Sequence, residues 1–128
     1  MRILLVTDLE GVSLLDDWQS MWPHCTAPYA AARREMTLAV NAAIRGLRQG
    51  GATEITVADG HGARLWPDSS NVIPEELEPG VELVRGISVL DGSAGFDALA
   101  MVGMHCRNGT PVGFLGHTVS GFTAARFN

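Results

Sequence analysis

The run Leu4-Leu5-Val6-Thr7-Asp8-Leu9-Glu10-Gly11 decides the fold and points to the chemistry. Its first half is a continuous apolar stretch, the kind that forms a strand buried on both faces of a parallel sheet. Its second half ends that strand with two acids spaced i, i+2. Alternate side chains of an extended chain share a face, so Asp8 and Glu10 are expected to point together. Two neighbouring carboxylates repel and are costly to desolvate unless something positive lies between them. A divalent metal meets that need, and Gly11 leaves room for a sharp turn or a close approach beside the acids.

Working outward, Arg2–Val6 reads as the first strand, and the periodicity predicts a helix from about Tyr29 to Gln49. Tyr29, Met36, Val40, Ile44 and Leu47 fall near one stripe of that helix, and Gly50-Gly51 ends it. Glu54–Ala58 is rich in β-branched residues and reads as a second strand. Strand, helix, strand over this length is a βαβ unit with parallel strands and a right-handed crossover. Val81–Val84, after the turn at Pro79-Gly80, is a third strand, and Ala98–Met104 is a fourth. A short helix is expected within Ser88–Phe96, and one or two further strands within Thr110–Phe127. The fold class is therefore α/β: one domain over residues 1–128, with a mostly parallel sheet flanked by helices. The chain stops at Ala124-Ala125-Arg126-Phe127-Asn128 without a closing helix, so the sheet is expected to be incomplete at its carboxyl end, as in the amino-terminal part of a longer fold.

The composition suits one compact core: 128 residues, 46% of them hydrophobic. A net charge of −5, carried against nine cations that are all arginine, argues against a nucleic-acid surface. No apolar run approaches membrane-spanning length, and there is no secretory leader pattern. Cys25 and Cys106 form no Cys-x-x-Cys pair or spaced framework and read as free thiols. Together these features place the expected chain in the cytoplasm.

Three polar groups follow three of the expected parallel strands: Asp8 and Glu10, then Asp59-Gly60-His61-Gly62, then His105. Ligands of open parallel sheets bind outside the carboxyl ends of the strands, so these groups are expected to converge. Two carboxylates and two imidazoles form a zinc-type donor set, with Asp59 near enough in sequence to orient a histidine from behind. The acid pair favours two metals, one carboxylate bridging ions roughly 3.5–4 Å apart. In Gly113-Phe114-Leu115-Gly116-His117-Thr118, His117 stands among glycines. It can serve as general acid or base, as a nucleophile, or as a third metal-binding imidazole.

Plainer readings stand beside these. An Asp-x-Glu pair also caps loops, His61 also suits a turn, and His105 also suits a hydrogen-bonded core position. His24 reads as structural or exposed. Trp18, Met21 and Trp22 either cover a core edge, line a pocket or form an oligomer contact. Adjacent residues of an extended chain face opposite sides, which counts against Cys106 as a ligand beside His105. Arg33, Arg34 and Glu35 read as a solvated helix face.

Thr7-Asp8-Leu9-Glu10-Gly11, Ala58-Asp59-Gly60-His61-Gly62, Gly103-Met104-His105 and Thr110-Pro111-Val112-Gly113 leading to Gly116-His117-Thr118 occur in the order seen in one known family. The chain resembles the M55 metallopeptidases, D-aminopeptidases of the DppA type. The resemblance implies a zinc-dependent aminopeptidase with two zinc ions per complete site, acting on short peptides with an N-terminal D-residue such as D-alanine. It implies Asp8, Glu10, His61 and His105 as zinc ligands, with Asp8 bridging, and His117 as the catalytic nucleophile. It also implies a homo-oligomer, a decameric ring around a channel. The family carries a further zinc-binding glutamate downstream of the His117 motif. Glu75, Glu76 and Glu78 do not match its position, so a second chain or a longer polypeptide is expected to supply it. Two other classes remain open on the residues alone: a metal-dependent phosphohydrolase, which also uses an acid pair after the first strand, and a truncated, non-catalytic subunit.

Overall fold

The computed structural model of the chain describes residues 1–63, 65–66, 68–86 and 92–117. Arg2–Thr7 forms β1, Thr26–Gln49 α1, Glu54–Asp59 β2, Glu82–Arg85 β3 and Ala98–Val102 β4. The strands form one sheet in the order β3-β2-β1-β4, with every neighbouring pair parallel. This is the expected α/β architecture. β1 is central because it can be buried on both faces, and Ile3, Leu4, Leu5 and Val6 are all nearly inaccessible.

α1 covers one face of the sheet. Its Ala32, Met36, Val40 and Ile44 recur at helical spacing and pack with Ile3, Leu5, Ile55 and Val57. Burying an aliphatic side chain of this size contributes about 1.5–3 kcal/mol. The other face carries a smaller cluster of Leu4, Val6 and Ala58 with Val84 and Phe96. Leu99 and Met101 of the edge strand β4 are exposed.

Of the solvated face expected at Arg33, Arg34 and Glu35, Arg34 is exposed, whereas Arg33 belongs to a hydrogen-bonded row. Arg33 Nη2 donates to the Val72 carbonyl at 2.9 Å, the Thr37 hydroxyl accepts from Ile73 N–H at 2.9 Å, and Asn41 Nδ2 donates to the Glu76 carbonyl at 2.7 Å. Together with Tyr29 and Arg45, these residues recur every fourth position along one row of the helix. Tyr29 donates to Asn71 Oδ1 at 2.9 Å, and Arg45 Nη1 pairs with Glu78 Oε1 at 2.7 Å. The row holds the long 69–79 connection against the helix, supplying partners for backbone groups that would otherwise be stranded.

The helix begins three residues before the expected start. Pro28 is tolerated there because the first-turn N–H groups have no intrahelical acceptor, so a missing one costs nothing. β4 ends at Val102, two residues short of the expected Met104. The cause is Gly103, which takes φ +71° and turns the chain across the end of β1. A side chain at Gly103 would collide with the Asp8 carbonyl oxygen. Gly103→Ala is therefore expected to cost about 2–4 kcal/mol, from the positive φ together with overpacking. Chemical denaturation checks this, and an unshifted midpoint would contradict it.

Of the remaining expectations, the helix within Ser88–Phe96 lies partly outside the described residues, and residues 93–95 of the described part make a turn. Within Thr110–Phe127, the described part to His117 makes turns rather than a strand. Positive φ angles at Val112 and Leu115 break the extended path. Residues 118–128 lie outside the described part. Among the described residues, no helix is long and apolar enough to cross a membrane.

Candidate metal centre

The register of the sheet builds the site. Thr7 pairs with Asp59 on one side and with Val102 on the other, so β1, β2 and β4 end level with one another. Whatever follows each strand therefore emerges side by side. The close approach is fixed by backbone hydrogen bonds from Asp8 N–H to the Val102 carbonyl, 2.9 Å, and from Gly11 N–H to the Gly103 carbonyl, 2.8 Å. A side chain at Gly11 would collide with the Met104 carbonyl, so these two loops pack backbone to backbone.

The acids and histidines expected to converge do so. His61 Nδ1 lies 2.8 Å from Glu10 Oε2 and 3.5 Å from Asp8 Oδ1, and His105 Nε2 lies 3.4 Å from Asp8 Oδ2. Asp8 thus presents one oxygen to each imidazole. Ligand atoms of Asp8, Glu10 and His61 all fall within 4.8 Å of one another. The three side chains are 12, 9 and 10% exposed, so little water screens their charges. The His117 ring stacks on His105, with centroids 3.7 Å apart and planes inclined by 22°.

Both histidines near the acids are held from behind by backbone carbonyls. His61 Nε2 donates to the Met21 carbonyl at 3.0 Å, and His105 Nδ1 donates to the Cys106 carbonyl at 2.9 Å. Each ring therefore turns its other nitrogen toward the carboxylates, which is how metal-binding imidazoles are oriented. Sequence does not reveal these carbonyls, since a backbone acceptor carries no residue signal. Trp66 is a further neighbour that the motifs do not indicate; its ring lies over Gly62, 5.9 Å from the His61 ring, and makes an edge contact with Trp22.

Asp59 does not have the role expected for it. It does not touch the His61 ring. Its fully buried carboxylate accepts instead from Ser70 Oγ at 3.0 Å, Asn71 N–H at 2.8 Å and Asn71 Nδ2 at 2.6 Å. Asn71 Nδ2 also donates to the His61 carbonyl at 2.5 Å. Asp59 thus supports the backbone of His61 through Asn71. The Tyr29 hydroxyl that closes this network is pushed up to about 12, by burial and then by the Asp59 charge.

The protonation states show how much positive charge the cluster requires. Burial pushes the Asp8 carboxyl up, and the neighbouring Glu10 adds to the effect against the pull of His61. Burial also acts to raise Glu10, but hydrogen bonds from His61 and Asp8 outweigh it and hold that carboxyl down at about 2. Burial by itself lowers the His61 imidazole, yet its hydrogen bonds with Asp8 and Glu10 and the Glu10 charge carry it up to about 10. With acceptors at both nitrogens, the metal-free ring holds two protons. Two carboxylates and two pre-oriented imidazoles fit zinc, which would take the place of the His61 Nδ1 proton as the positive charge among the acids. Below about pH 10 that proton must leave when the metal enters, so zinc affinity is expected to fall about tenfold for each unit of acidification. Calorimetric titration in buffers of different ionisation enthalpy measures the protons released. Binding with no proton release would contradict this account.

Comparison with known proteins agrees with this geometry. The model of the peptidase M55 family, described as D-aminopeptidase, matches residues 1–128. No curated protein sequence matches the chain significantly. Among solved structures, the chain is similar to the Zn-dependent D-aminopeptidase DppA from Bacillus subtilis, described as a self-compartmentalizing protease. The TM-score is 0.77 at 28% identity, covering 94% of this chain and 43% of that one. The chain thus spans less than half the length of that relative.

Proposed function

The chain belongs to the M55 peptidase family, and from that premise we propose that it is the metal-bearing part of a zinc-dependent aminopeptidase. Its substrates are short peptides with an N-terminal D-amino acid such as D-alanine. The observation that carries this reading is the placement of His61 Nδ1 and His105 Nε2 on the two oxygens of Asp8, at 3.5 and 3.4 Å, with Glu10 Oε2 2.8 Å from His61. Asp8, Glu10, His61 and His105 would be the residues that hold the zinc, with Asp8 placed to serve both histidine sides. When bound, zinc supplies Lewis acidity toward the scissile carbonyl and makes a water nucleophilic near neutral pH.

The chain's own groups supply orientation and proton transfer. The carbonyls of Met21 and Cys106 hold the ligand imidazoles in one tautomer. His117 is exposed, and its Nδ1 lies 2.8 Å from the Leu115 carbonyl. That hydrogen bond places its proton on Nδ1 and leaves Nε2 as the basic atom, able to take a proton from a nucleophile and deliver it to the leaving amine. The protein assembles as a homo-oligomer, and a longer polypeptide or a second chain supplies the further glutamate of the family's site. The self-compartmentalizing character of the Bacillus relative supports an assembly of this kind. Membership of a peptidase family leaves the phosphohydrolase reading without support.

The test is alanine release from D-alanyl and L-alanyl peptides by the zinc-loaded protein. Zinc-dependent release of the D-isomer is expected, with His117→Ala slower by about 10²–10⁴-fold at unchanged zinc content. Release of the L-isomer alone would overturn the stereochemical assignment. Zinc binding without hydrolysis would make the chain a non-catalytic subunit.

A further inference from the structure

Cys106 follows the ligand-type His105 and has no place in the metal chemistry, yet the segment carrying His117 is wrapped around it. The Cys106 carbonyl accepts from two groups at once, His105 Nδ1 at 2.9 Å and the His117 backbone N–H at 3.2 Å. Its thiol is a free one. A Cβ at Gly113 would collide with that sulfur, and a Cβ at Gly116 would lie 2.8 Å from it. Neither glycine has a positive φ. Glycine serves at these positions for space and not for conformation, and the nearest atom in that space is the thiol sulfur, with the Thr110 carbonyl oxygen at 3.2 Å from Gly113 and the Arg107 carbonyl oxygen at 3.0 Å from Gly116 behind it.

The loop accepts strain to make this wrap. Val112 and Leu115, both with side chains that disfavour the left-handed region, sit at φ +56° and +45°. The turn at Leu115 is also where the carbonyl that accepts from His117 Nδ1 is presented. The outcome of the wrap is the stack of His117 on His105 at 3.7 Å.

We propose that Cys106 is a positioning residue for His117: its thiol fills the inside of the 107–116 loop, and the fit of that thiol against Gly113 and Gly116 sets the His117 ring over His105. The significance for catalysis rests on the role given to His117 above. The positioning itself does not depend on that role, because it is read without metal or peptide.

The experiment is a pair of complementary substitutions in the full chain, read by proton NMR contacts between the His105 and His117 rings. Gly113→Ala is expected to lose the ring contact, since its methyl and the sulfur claim the same space. Cys106→Ala combined with Gly113→Ala is expected to restore it, because the sulfur is gone and the next neighbour of the new methyl, the Thr110 carbonyl oxygen at 3.2 Å, has to give by only a few tenths of an ångström. Cys106→Leu attacks the same fit from the other side and is expected to lose the contact while the amide signals of β1 and β2 stay in place. In the zinc-loaded protein, kcat should follow the ring contact, falling about tenfold or more in Gly113→Ala and recovering in the double variant. Persistence of the ring contact in either single variant overturns the proposal. So does a double variant that keeps its β1 and β2 signals without regaining the contact. Loss and recovery of the contact with no hydrolysis in any variant would leave the positioning intact and overturn the catalytic role of His117.

Discussion

Asp8→Asn is expected to abolish zinc binding and to lower peptide hydrolysis about a thousandfold or more, while the metal-free chain keeps its stability to within about 1 kcal/mol. The two effects separate because, on the proposed reading, Asp8 would serve the metal and not the fold. Its carboxyl is raised from the ordinary value of 3.8, chiefly by burial. A carboxyl raised on folding stabilises the fold while protonated, and that contribution is lost as pH rises above its unfolded value. Near neutral pH an ionised Asp8 is therefore a cost that an uncharged amide removes. Asparagine preserves the shape and can still accept from Leu9 N–H, a bond of 3.1 Å to Asp8 Oδ1. His61 is not stranded, since Glu10 Oε2 remains 2.8 Å away. What is lost is the anionic group lying between His61 and His105. Thermal unfolding with and without zinc checks this. The wild type should be stabilised by the metal and the variant should not. Retained zinc stabilisation in the variant would remove Asp8 from the ligand set.

Asp59→Ala is expected to have the opposite profile, costing about 3–5 kcal/mol of stability even without metal. Its carboxylate is fully buried and accepts three hydrogen bonds, two of them from Asn71. Truncation leaves both Asn71 donors short of an acceptor in a place water does not reach, and leaves Arg85 without the carboxylate 4.0 Å away. The same network supports the His61 backbone, through Asn71 Nδ2, and reaches α1 through the Tyr29 hydroxyl. Zinc affinity is therefore expected to fall about 10–100-fold, as for loss of an outer partner of a metal ligand. Urea denaturation of the metal-free chain and zinc titration measure the two effects. A small loss of stability would show that the loop from His61 to Asn71 is held by something other than Asp59.

The contrast between these two aspartates marks where residue patterns inform and where they do not. β1 and α1 are legible because burial imposes a pattern: a continuous apolar run for a central parallel strand, and a repeat of 3.6 for a helix covering it. Convergence of Asp8, Glu10, His61 and His105 is legible because strands in parallel register end level, as Thr7 does with Asp59 and Val102. Asp59 misleads because it lies two residues from His61. At the end of β2 its side chain points into the protein and meets Asn71, twelve residues away in the chain. Nothing in the Ser69-Ser70-Asn71 stretch distinguishes such a clamp from an ordinary polar loop. The Met21 and Cys106 carbonyls that orient the histidines are equally silent. The row Tyr29, Arg33, Thr37, Asn41 and Arg45 carries a usable signal, polar groups every fourth residue. From sequence only Arg33 of this row reads as solvated, with Arg34 and Glu35, while Tyr29 reads as part of the apolar stripe; a solvated face has the same spacing, and the 69–79 connection lying on the row decides between them.

The central claim is that Asp8, Glu10, His61 and His105 together hold zinc, and the most direct measurement is a zinc titration followed through the imidazole nitrogen signals of the chain. The account predicts saturable binding that shifts His61 Nδ1 and His105 Nε2 while His61 Nε2 and His105 Nδ1 stay protonated against the carbonyls of Met21 and Cys106. Zinc that leaves both rings unshifted, or that binds instead at His24 and Cys25, would contradict it.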